Sequence, residues 1–164
     1  MSKKTVAQAP TIKLSRPQGR PHVLLITIDR PPANAMTVDA HSELLAALRS
    51  VADDAQTRCI VLTGAGERAF VAGGDVAELG ALNPELALER TRVVRQVFDA
   101  IRRNPVPVIA AVNGHALGSG LVMVSQCDVV VAADNASFGL PEITVGVMGG
   151  TKHLARIVPE KVMR

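Results

Sequence analysis

Two short stretches, "VAGGD" at residues 71–75 and "LGSG" at residues 117–120, put glycines directly before helical segments. Such turns let a ligand approach bare backbone, and the first N–H groups of the helix that follows lack intrahelical partners. The Gly74 and Ser119 N–H groups are therefore two uncharged donors, each reinforced by a helix dipole. Paired donors of this kind suit a carbonyl oxygen that gains negative charge during reaction, as in the enolate of a thioester. No charged residue follows the second turn at once: Leu121, Val122 and Met123 come next. Close packing of a helix on a sheet is the other use of such glycines. Two turns of one kind, each after an apolar strand, favour the donor reading.

Other glycine-dependent chemistries fail on their defining residues. No glycine is followed by lysine, which excludes a Walker A phosphate loop. Gly118-Ser119-Gly120 runs on into Leu-Val-Met, so the third glycine of a dinucleotide fingerprint is missing. His115, His153 and Asp128 share no ligand spacing, and no serine sits in a GxSxG elbow. No metal is expected, and His115 and Asp128 read as structural. Taken by itself, Glu142 after Pro141 reads as a surface carboxylate.

These residues need elements to position them. "HVLLITID" is a β-rich run stopped by the prolines of "RPPANA". Thr37 can cap a helix carrying Leu44, Leu45, Leu48 and Val51 on one side. "CIVLTGAG" is the next strand, and "AFVAGGDVAEL" a turn opening a helical segment near Asp75. A longer helix is expected over about 84–103, with Leu86, Val93, Val97 and Ile101 as its apolar stripe. "VPVIAAVNG" and "CDVVVAAD" read as two further apolar strands flanking the second glycine turn. A short strand and loop, "ASFGLPEITVGVMGG", and a helix start at "TKHLARIV" follow. Strands alternating with helices indicate an α/β protein whose sheet is covered by helices.

Composition narrows the function. Hydrophobic residues make up 48% of the 164, enough for a substantial core. Aromatic residues are only 2%, which argues against base-stacking recognition of nucleic acid. The net charge of +3 comes from the start of the chain. Five of the 18 basic residues precede the first acid, Asp29, leaving 13 against 15 acids. The basic segment reads as a solvated end, so no nucleic-acid partner is expected. Cys59 and Cys127, without CxxC spacing, suit a reducing compartment. The start lacks a secretory apolar region, and no apolar run is long enough for a bilayer. A cytoplasmic protein without a membrane partner is expected. Residues 1–21, polar and proline-bearing, are expected to be disordered, with one core domain over 22–164.

The segments "RPPANA", "RAFVAGGDVAEL", "VIAAVNGHALGSG" and "CDVVVAADNASFGLPEITVG" closely resemble the enoyl-CoA hydratase/isomerase, or crotonase, family. The resemblance covers about residues 22–164. It implies the α/β crotonase (ClpP/crotonase-like) fold of repeated ββα units, acyl-CoA substrates, no cofactor beyond the coenzyme A thioester itself, and a trimer or hexamer. It implies Gly74 and Ser119 as oxyanion donors and Glu142 as the catalytic acid–base group. Ala72, Asp75, Val76 and Val122 would line the acyl-CoA site, with Ala33 and Ala35 near the nucleotide portion.

The chain departs from the family pattern at three places. Val122 stands where two-glutamate hydratases carry their first acid. The loop "VGVMGGTKHL" is shorter than usual. The sequence ends at "VPEKVMR", where family members continue with a further helical region, so a truncated core is expected. The resemblance therefore implies a hydratase or isomerase, with a non-catalytic acyl-CoA-binding or assembly subunit as the alternative.

Overall fold

In the computed structural model, which describes residues 10–163, β1 (Ile12–Ser15) turns back antiparallel into β2 (Val23–Ile28). The disorder expected over residues 1–21 therefore does not reach residues 12–15, while residues 1–9 lie outside the described residues. The segment is held from two sides. Its strand pairs Ile12 with Ile28 and Leu14 with Ile26, and the Glu43 carboxylate accepts the N–H groups of Thr11 and Ile12 at 2.8 and 3.1 Å. Helix α1 (Val38–Arg49) supplies that carboxylate, and Thr37 caps it, accepting the Ala40 N–H at 3.2 Å.

Three successive units then repeat one pattern: a strand for a large sheet, a strand for a small sheet, then a helical segment. The first is β3 (Cys59–Gly64), β4 (Ala69–Val71), and helices α2 (Val76–Gly80) and α3 (Pro84–Arg102). The second is β5 (Val108–Val112), β6 (His115–Leu117) and α4 (Ser119–Gln126). The third is β7 (Val129–Ala132), β8 (Ser137–Gly139), a 3-10 turn over Glu142–Val145 and α5 (Thr151–Leu154). A last helix, α6, spans Glu160–Met163. The large sheet runs in the order β1-β2-β3-β5-β7 and the small one β4-β6-β8, parallel throughout except for β1. Before the first unit the same place on the small sheet is met by a single parallel bridge, Met36 to Gly74.

The large sheet buries one face. Leu24, Ile26 and Ile28 alternate inward along β2, as do Ile60 and Leu62 on β3 and Val108, Ala110 and Val112 on β5. Parallel register brings these side chains into rows, Ile26 beside Leu62 and Leu62 beside Ala110. They share a core with Leu44 and Leu48 of α1, Val97, Phe98 and Ile101 of α3, and Met123 of α4.

Two expectations need correction here. Leu86 does not belong to the buried stripe of α3: it is 46% exposed, and the helix buries Val97, Phe98 and Ile101 in its second half. β7 is not a buried strand either, because it forms the edge of the sheet, with Val129, Val130 and Val131 45–60% exposed.

Candidate active site

The repeat decides where the glycine turns fall. Gly74 lies just after β4, Ser119 just after β6 and Glu142 just after β8. Since β4, β6 and β8 are neighbours in one parallel sheet, the three residues meet at its C-terminal edge. That is where helix starts and loops of open α/β folds form crevices. A cavity of about 230 Å³ opens there, lined by Ala72, Gly74, Val76, Ser119, Val122 and Glu142 among others.

Each turn has a local reason. Gly118 takes φ +54°, a left-handed conformation that admits glycine most readily, and so aims the start of α4 at the cavity. A Cβ at Gly120 would lie 2.2 Å from the Val71 carbonyl oxygen, so this glycine lets α4 sit directly on β4. The close packing of helix on strand expected of such glycines thus occurs in this turn, beside the left-handed Gly118. At the other turn Asp75 caps α2, its carboxylate accepting the Glu78 N–H at 3.0 Å, and it pairs with Arg30 at 2.8 Å. The Glu78 N–H, with help from Arg30, holds the Asp75 carboxyl below the usual carboxylate range.

Neighbouring backbone groups are engaged. Ala72 donates to the Ala33 carbonyl at 3.1 Å, Asp75 to Met36 at 3.0 Å, and Gly118 to Gly139 at 2.9 Å. Among the described residues no such loop or cap hydrogen bond engages the N–H of Gly74 or of Ser119. Glu142 stands beside them: a Cβ at Gly118 would come within 3.3 Å of its Oε1, and its Oε2 is buried without a hydrogen-bond partner. Val122 is buried at 4% exposure and adds an apolar side chain to the cavity lining.

Three residues expected at the site lie outside the cavity lining: Ala33, Ala35 and Asp75. Ala33 and Ala35 offer their carbonyls to Ala72 and Arg30, and the Asp75 side chain serves the helix cap and the ion pair. Ile143 points to solvent at 81% exposure. His115 donates to or accepts from the Ser137 hydroxyl at 2.7 Å, and Asp128 accepts the Val108 N–H at 2.8 Å, the structural uses expected of them. Among the described residues no group of three or more His, Cys, Asp or Glu side chains is placed to hold a metal ion.

Arg90 is a cavity residue that the sequence patterns passed over. It shares a helix face with Val94 and Phe98, spaced four apart, and all three line the cavity. Extending that apolar pair one turn back is the signal that finds it.

Repeated ββα units, with glycine turns and one carboxylate gathered at the edge of a small parallel sheet, define the class of protein. The family model for enoyl-CoA hydratase/isomerase matches residues 18–164, and the chain belongs to that family. It is 39% identical over 145 residues to a (7aS)-7a-methyl-1,5-dioxo-2,3,5,6,7,7a-hexahydro-1H-indene-carboxyl-CoA hydrolase from Mycobacterium tuberculosis, covering 88% of this chain and 58% of the relative. A short-chain-enoyl-CoA hydratase from Clostridium acetobutylicum is 39% identical over 140 residues, 83% of this chain and 54% of its own. The crystal structure of an enoyl-CoA hydratase from Bacillus anthracis superposes with a TM-score of 0.86 at 36% identity, covering 93% of this chain and 60% of that one. The chain thus spans little more than half the length of the curated relatives it matches.

Proposed function

We propose that the protein acts on acyl-CoA thioesters as an enoyl-CoA hydratase or isomerase. The observation that carries this reading is the meeting of the Gly74 turn, the Ser119 helix start and the Glu142 carboxylate in one cavity. A thioester carbonyl oxygen between the two N–H groups would gain charge as the enolate forms, where fixed backbone dipoles stabilise it most. In hydration, Glu142 takes a proton from water, the oxygen bonds to the β-carbon, and the π electrons move onto the carbonyl oxygen. The same carboxyl then returns the proton to the α-carbon. In isomerisation it takes a proton from the γ-carbon of a 2-enoyl thioester and delivers it to the α-carbon. One carboxylate suffices for either route, which accommodates Val122. No cofactor besides the thioester's own coenzyme A enters the scheme, and no metal.

The apolar, buried Val122 also favours a second reading, a subunit that binds acyl-CoA without turning it over. Assembly into a trimer or hexamer belongs to the proposal and is supported by the exposed valines of β7. So does a cytoplasmic location, supported by the free Cys59 and Cys127. Among the described residues no helix is long and apolar enough to cross a membrane.

Ser119 permits a clean test. It is the first residue of α4, where proline fits a helix without loss of an internal hydrogen bond. Ser119→Pro removes the N–H and is expected to lower kcat for crotonyl-CoA about 10²–10³-fold while the helix survives. Ser119→Ala, which keeps the N–H, is expected to cost far less. Equal rates for the two variants would contradict the donor role.

A further inference from the structure

The cavity is apolar over most of its wall, yet α3 turns a guanidinium into it. The Arg90 side chain is 17% exposed, and its Nε is buried without a hydrogen-bond partner. The nearest carboxylate, Glu78, stands 3.9 Å away, beyond hydrogen-bond reach. Both Glu78 oxygens already accept the Val38 N–H, at 3.1 and 3.0 Å. Nη2 lies only 2.6 Å from where a Cβ of Gly74 would be, so the guanidinium rests directly on the glycine turn. A longer side chain at 74 would displace it.

Guanidinium does not give up its proton, so burial cannot neutralise it. Its ion-pair partner Glu78 reaches it only at 3.9 Å, so the pair leaves the guanidinium's hydrogen-bonding capacity unspent. Its planar fork matches a carboxylate, with two parallel hydrogen bonds. We infer that Arg90 is a specificity residue that receives a carboxylate on the acyl group, so that the site takes short coenzyme A monothioesters of dicarboxylic acids. The inference rests on the proposed binding of the thioester carbonyl at Gly74. The guanidinium packs against that same residue, which places the acid a few bonds from the thioester carbon. Coenzyme A carries phosphates of its own, but they lie at the far end of the pantetheine arm.

The test compares crotonyl-CoA, a 2-enoyl-CoA ending in a carboxylate (glutaconyl-CoA) and free coenzyme A, for the parent, Arg90→Leu and Arg90→Lys. Affinities are read by calorimetry and rates by steady-state kinetics. The parent is expected to favour glutaconyl-CoA over crotonyl-CoA. Arg90→Leu should lower that preference about 10–100-fold, mainly through KM, and Arg90→Lys should recover part of it as a point charge. If crotonyl-CoA binds the parent and glutaconyl-CoA binds no tighter, this inference falls alone. Equal weakening of free coenzyme A and both thioesters by Arg90→Leu also overturns it, because the charge then serves the coenzyme. If no thioester binds the parent at all, the proposed function falls and takes the inference with it.

Discussion

Asn34 takes a left-handed backbone, φ 53°, and uses its side chain to tie its own loop to the β3–β4 connection. Its Oδ1 accepts the Arg30 N–H at 3.0 Å, and its Nδ2 donates to Ala65 and Ala69 at 3.0 and 2.7 Å. Asn113 does the same on the far side, donating to the carbonyls of Gly64 and Gly66. These two amides are thus spent on backbone, whereas Arg90, Ser119 and Glu142 each bring a side-chain atom without a hydrogen-bond partner to the cavity lining. His41 is fully buried on α1, with Nδ1 against the Thr37 carbonyl at 2.7 Å and Nε2 without a partner. Burial pulls its pKa down from 6.5 to about 4, so the folded protein keeps it neutral where the unfolded chain protonates it. The unfolded state therefore binds more protons below about pH 6.5, and stability falls from there toward about pH 4. The loss attributable to His41 is roughly 3 kcal/mol at the acid end. Urea unfolding at pH 7.5 and 4.5 should show a smaller pH difference for His41→Leu than for the parent. The same difference in both would contradict this account.

At the scale of elements, α4 depends on its second residue having no side chain. Gly120→Ala would put a methyl group 2.2 Å from the Val71 carbonyl oxygen, and backbone on both sides leaves little room to give. Overpacking of this kind costs roughly 1–3 kcal/mol, read as a lower denaturation midpoint. A change within about 0.5 kcal/mol would mean that α4 moves off β4 freely. Elements of this kind were the most legible in the sequence. The turns "VAGGD" and "LGSG" announce both a strand end and a helix start, because only a few backbone geometries use glycines so. β1 was hidden behind a polar, proline-bearing neighbourhood, since it is held by pairing with β2 and by Glu43, 32 residues away from Thr11, and not by its own composition. The valines of β7 read as core because composition cannot distinguish an edge strand from a central one. Arg90 was missed for a similar reason. A charge on an amphipathic helix reads as solvent-facing until the fold shows which face meets the cavity.

The molecule as a whole places one structural position of three consecutive repeats around one cavity. The turn after the small-sheet strand of each unit brings one group to it: the backbone at Gly74, the backbone at Ser119 and the Glu142 carboxylate. The site follows from the repeat. The central claim is that Glu142 alone moves the proton on an enolate held by the two N–H groups. The direct measurement is solvent-deuterium exchange at the α-carbon of butyryl-CoA, followed by mass spectrometry, for the parent and Glu142→Gln, with binding measured in parallel. The amide keeps the shape of the carboxylate but cannot take the proton, so exchange should fall about 10²–10⁴-fold while binding persists. Exchange as fast in Glu142→Gln as in the parent would contradict the single-carboxylate mechanism, and a parent that binds butyryl-CoA without exchanging would point to the binding subunit instead.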